Sequence, residues 1–136
     1  MSKWFGPNNE QFACKCGCGL CNPDPQLVLD LDEFRDEWGL PVIITSGSRC
    51  AKHCLDIGDE IPSFRNVHQP APSDGYTKAV DIACESARMR MKLIEFFKCK
   101  KGYRRIEVTN LHVHVDRGVD NVAQDVFIVN WIVEHK

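Results

Sequence analysis

Residues 111–116 read LHVHVD, with apolar and polar side chains in strict alternation, and few folds accommodate that pattern. On an extended strand, successive side chains point to opposite faces. Leu111, Val113 and Val115 therefore line one face, and His112, His114 and Asp116 share the other. Such a strand lays its back on a core and presents two imidazoles and a carboxylate on its front. A half-buried strand with a polar outer face needs nothing more. A metal-binding or catalytic wall needs partners from elsewhere in the chain.

The rest of the chain supplies a frame for that strand. In NPDPQLVLDLDEFRDEWG, Asp24 is placed to cap a helix and Pro25 to occupy its first position. Leu27, Leu31, Phe34 and Trp38 follow at spacings of three and four, and Gly39 stops the run. LPVIITSGSR reads as an apolar strand running into turn residues. Residues 55–78 form a long Pro/Gly/Asp-rich loop, and loops of that length inside a compact domain are usually functional or disordered. AVDIAC reads as a short strand. ESARMRMKLIEFFKCKKG predicts a second helix that buries Met89, Leu93, Phe96 and Phe97 and ends at Gly102. YRRIEV and LHVHVD read as paired strands joined by Thr109 and Asn110. DVFIVNWIVEHK predicts a closing strand or helix. This order predicts an α+β domain: a small, mostly antiparallel sheet with two main helices. With 136 residues and no internal repeat or linker, residues 1–136 are expected to form one domain, opening with a Cys-rich segment over 1–22.

A net charge of −2 argues against a nucleic-acid or anionic-membrane partner. No apolar run is long enough to span a bilayer, and no signal peptide is recognisable at the N-terminus. The protein is therefore expected to be made in a cytoplasm and, if it acts outside, to be released or carried there. Of the eight cysteines, Cys14, Cys16, Cys18 and Cys21 crowd into CKCGCGLC, and Cys50 and Cys54 form a second pair. The first cluster is a candidate structural zinc knot, with Cys50 or Cys54 as further ligands, though disulfides and free thiols are equally open readings.

A zinc hydrolase needs three protein ligands and an open position, a general base, and a cation for the substrate. Each part has a candidate here. Asp81 ends the alternation AVD, and His114 lies on the LHVHVD strand. His68 and Asp74 lie in the loop upstream of Asp81. Arg49 closes VIITSGSR, where a planar guanidinium suits a carboxylate.

Taken in order, SGSRC, KHC, SDGYTKAVDIAC and LHVHVD resemble the zinc D-Ala-D-Ala carboxypeptidase and phage endolysin peptidase family, whose fold is shared with the hedgehog signalling domain. The opening FACKCGCG is similar to that of many phage-encoded members, and the resemblance runs from about residue 10 to 118. It implies a zinc peptidase acting, as a monomer, on peptidoglycan stem peptides at the cell wall, delivered free or in a virion. It matches Asp81 and His114 to two zinc ligands, Arg49 to the substrate-anchoring arginine, and His112 to the first histidine of a hedgehog-like H-x-H pair lining the site.

One departure is serious. Seven residues before Asp81, where the family has its first histidine ligand, this chain has Asp74, and Thr77 replaces a family glycine. Either Asp74 ligates, or His68 reaches in from the enlarged loop, or the site holds no catalytic metal. The last case would leave a non-catalytic phage structural or binding protein on the same fold. A further option makes the N-terminal cysteines the functional zinc site. Glu107, seven residues before His114, is the nearest candidate base; that odd offset puts it on the opposite face unless the Thr109–Asn110 turn resets the phase. Asp116, on the same face as His114, is expected to support the ligand strand or pair with Arg117. His53 is expected in a loop or in the cysteine chemistry, and His135 in the tail.

Overall fold

The structure is a computed structural model that describes residues 4–5, 10–58, 68–71, 73–103 and 105–117, together with the backbone of 126–130. Arg104, His135 and the final six residues lie outside the described residues. After a 3₁₀ turn at Glu10–Phe12 come α1 (Pro25–Trp38), β1 (Ile44–Ser46), α2 (Ala51–Asp56), β2 (Ala79–Ala83) and α3 (Ala87–Ile94). A π-helical turn (Glu95–Lys100) extends α3, and β3 (Arg105–Thr109), β4 (His112–Asp116) and β5 (Val126–Asn130) follow. The strands form one sheet in the order β1-β2-β4-β3-β5. Its first four strands pair antiparallel, and β5 adds to β3 in parallel. The expected α+β architecture with a mostly antiparallel sheet is what forms.

Local chemistry sets the element ends. Asp24 caps α1 by accepting from the Leu27 N–H at 3.1 Å, and Gly39 N–H returns to Arg35 O at 3.0 Å. The same carboxylate takes Lys78 Nζ at 2.9 Å and Arg117 Nη1 at 2.6 Å. Asp24 thus ties the start of the first helix to the strands that carry the site. Ser86 caps α3 through the Met89 N–H at 3.1 Å. The expected loop of 55–78 begins later than its composition indicates, because α2 runs to Asp56.

Alternation divides the sheet into two faces. Val80 and Ile82, Ile106 and Val108, and Val113 and Val115 are all buried in one cluster with Leu27, Leu31, Phe34, Leu93, Phe96 and Phe97 from the helices. Each such side chain contributes about 1.5–3 kcal/mol through its burial. The other face carries Asp81, Glu107, His112, His114 and Asp116. The core thus holds rigid the wall on which the chemistry sits.

Candidate metal centre

Strand register aligns the first ligands. Asp81 of β2 stands opposite His114 of β4, and His114 stands opposite Glu107 of β3. Directly opposed residues in antiparallel strands share a face with Cβ atoms about 4.5–5.5 Å apart. Asp81, His114 and Glu107 therefore form one row across the sheet. The Thr109–Asn110 connection does reset the phase, and the odd offset between Glu107 and His114 does not separate them. Glu107 is half-buried.

His68 enters this row from outside the sheet. Its Nε2 lies 3.3 Å from His114 Nδ1 and 3.5 Å from Asp81 Oδ1, and His114 Nδ1 lies 2.8 Å from the same oxygen. All three residues are buried, and their three donor atoms lie within 4.8 Å of one another.

The remaining ring nitrogens explain how the donors are aimed. His68 Nδ1 is 2.8 Å from the carbonyl of Gly47, which can only accept, so the proton sits on Nδ1 and the Nε2 lone pair faces the group. His114 Nε2 is 2.7 Å from Asp116 Oδ2, a fully buried carboxylate, which leaves Nδ1 facing Asp81 and His68. Carboxylate and carbonyl partners behind metal-binding imidazoles fix tautomer and ring orientation in this way. Two imidazoles and one carboxylate, each held from behind, make a donor set suited to zinc with a position left for substrate.

The electrostatics follow from the crowding. Burial opposes charge on His114, but hydrogen bonds to Asp116 and Asp81 outweigh it and lift its pKa from the ordinary 6.5 to about 10 in the metal-free protein. Burial likewise works against an ionised Asp81, yet the His114 and His68 rings hold its carboxyl well below the usual carboxylate range. Arg49 Nη2 lies 3.6 Å from the other Asp81 oxygen and donates to Ser46 Oγ at 2.9 Å. The guanidinium thus sits at the edge of the centre.

The other sequence candidates fall at different distances. Asp74 is not brought to this group: it is exposed, accepts from the Tyr76 N–H at 2.9 Å and pairs with Lys78. The register that favoured it is overridden because His68 folds onto the sheet, and Lys78 takes up its charge. His112 shares the face of His114 one step along the strand, with its ring 3.4 Å from Thr109 Oγ1. Asp116 supports His114 as expected, but its cation is Arg105 at 3.3 Å; Arg117 goes to Asp24 instead. In the cysteine cluster the fourth sulfur is that of Cys50, and Cys21 is not part of the group. His53 lies in α2, where its backbone N–H donates to Cys50 Sγ at 3.3 Å. Gly47 is a functional position that sequence reasoning did not single out, and Thr77 was named only as the replacement of a glycine. The SGSR motif signals the first. Thr77 Oγ1 lies 3.3 Å from His68 O, a contact that spacing alone does not reveal.

The family described as peptidase M15 matches residues 7–116, a span that contains every residue of the centre. No curated protein and no solved structure matches the chain.

Proposed function

The chain belongs to the peptidase M15 family, and from that premise we propose that it hydrolyses amide bonds in the stem peptides of bacterial peptidoglycan, with one zinc ion held by His68, Asp81 and His114. The observation that carries this reading is the convergence of three buried donors whose two imidazoles are both fixed from behind. A zinc ion held there would supply Lewis acidity, the chemistry by which water becomes a usable nucleophile near neutral pH.

The chain's own groups then divide the remaining work. Glu107, opposite His114 on the same face, takes the proton of the attacking water on its carboxylate and returns it to the leaving amine nitrogen. His112, one step along the same face, donates to the oxygen on which negative charge develops. Arg49, steadied by Ser46 and Asp81, offers its fork of donors to a substrate carboxylate. Two specificities fit these parts: trimming at D-Ala-D-Ala, or an internal cut of the endolysin type. The FACKCGCG opening, through its resemblance to phage-encoded members, supports a phage-encoded enzyme. Among the described residues no helix is long and apolar enough to cross a membrane.

The test combines elemental analysis with release of new amino groups from purified peptidoglycan. The wild type is expected to hold zinc and cut. His114→Ala should lose that zinc and the activity. Glu107→Gln should keep the zinc and lose about 10²-fold or more in rate, the usual contribution of a positioned base. Wild-type protein that holds zinc at His114 yet leaves wall peptides intact overturns the peptidase reading, and the same scaffold is then a binding protein.

A further inference from the structure

We propose a second metal site, a zinc tetrathiolate formed by Cys14, Cys16, Cys18 and Cys50, that fastens the N-terminal arm to the segment carrying Arg49. The four sulfurs lie within 4.8 Å of one another. Cys14 Sγ is 3.4 Å from Cys16 Sγ and 3.8 Å from Cys50 Sγ, and Cys16 Sγ is 3.6 Å from Cys50 Sγ. Zinc–sulfur bonds of ~2.3 Å in a tetrahedron place sulfurs roughly 3.8 Å apart. A disulfide needs ~2.05 Å and joins only two sulfurs. The three distances among Cys14, Cys16 and Cys50 match the edges of such a tetrahedron, and Cys18 Sγ lies within 4.8 Å of the other three.

The backbone is shaped to hold them there. Gly17 and Gly19 take φ of 84° and 88°, a region closed to most side chains. These turns alternate with Cys16 and Cys18, and the loop is closed by Cys14 N–H to Leu20 O at 2.8 Å. From the other side, Cys50 N–H points at Cys14 Sγ at 3.5 Å, and His53 N–H points at Cys50 Sγ at 3.3 Å. Amide N–H groups aimed at sulfur favour the charged thiolate that a metal requires. Ligands two apart in one tight loop, completed by one from 32 residues beyond Cys18, form a cross-link between distant parts of the chain.

That cross-link has an evident role. The arm already meets the SGSR segment through Ser48 N–H to Phe12 O at 2.8 Å and Asn22 N–H to Ser48 Oγ at 3.1 Å. Cys50 adjoins Arg49, and Gly47 orients His68. An ion at the four sulfurs would fix Cys50 against the arm and so brace the segment that carries Gly47 and Arg49. This site does not depend on the peptidase reading, and the two fail separately.

The decisive sample is His114→Ala purified under reducing conditions, because it lacks a ligand of the other centre. It is expected to retain about one zinc per chain, and stripping that zinc with a chelator should lower its thermal midpoint. Refilling it with cobalt(II) should give the intense thiolate-to-cobalt charge-transfer absorption of a sulfur-only site. The double variant Cys16→Ser/Cys18→Ser should lose this absorption while keeping the zinc bound through His114. Should that variant fail to fold, X-ray absorption of zinc in His114→Ala decides alone, with a shell of four sulfurs expected. A metal-free His114→Ala protein, a cobalt spectrum without thiolate bands, or a disulfide from Cys14 or Cys50 that persists through purification under reducing conditions would overturn the proposal.

Discussion

At the scale of single residues, the centre depends on where protons sit. Asp116 and Gly47 contribute no ligand atom, yet each decides which nitrogen of a histidine is free. Asp116→Asn keeps the shape and removes the charge, so zinc affinity is expected to fall about 10–100-fold, measured by competition with a chromophoric chelator. Asp74→Ala, which breaks only the contacts to Lys78 and Tyr76, should leave that affinity unchanged; a loss there would make Asp74 the ligand after all. Asp81 and His114 were legible because each stands among apolar neighbours on an alternating strand, and alternation fixes the face. His68 was only one of two choices, since no periodicity runs through its loop. The two departures from the expected pattern meet at one carbonyl. With the histidine at 68 instead of 74, its carbonyl needs donors, and it finds Arg49 N–H at 2.8 Å and the hydroxyl of Thr77, the residue that replaces the glycine.

At the scale of elements, the SGSR segment is the tightest joint. A Cβ on Gly47 would stand 2.7 Å from both Cα and O of Phe12, backbone that cannot swing aside. Gly47→Ala should therefore cost about 1–3 kcal/mol in urea unfolding and also weaken zinc binding, because the Gly47 carbonyl holds His68. Unchanged stability would mean the arm is not seated there. The helices were legible from caps and spacing, as Asp24, Pro25 and Gly39 illustrate, and so was the burial of Phe96 and Phe97. The partner of the CKCGC loop was legible only as an alternative, with Cys50 and Cys54 both open as further ligands. Cys21 is nearest in sequence, but the glycine turns at 17 and 19 direct the thiols toward Cys50.

At the scale of the whole molecule, stability and metal binding should respond to pH in opposite senses. Without zinc, His114 has its pKa raised from 6.5 to about 10. The stability it contributes is therefore complete below about pH 6.5 and is lost as pH rises toward 10. Zinc needs the deprotonated ring, so its affinity climbs across the same interval. Thermal midpoints with and without zinc should diverge as pH increases, the metal-free curve falling and the zinc-dependent gain growing. A metal-free midpoint that rises over this range would contradict the arrangement of Asp81, His114 and Asp116. The loop-borne third donor carries a further consequence. Two adjacent strands hold Asp81 and His114 opposite one another, while His68 arrives from outside the sheet. Exchanging the side chain at 68 should therefore alter which ion is retained and leave the strand-borne pair in its place.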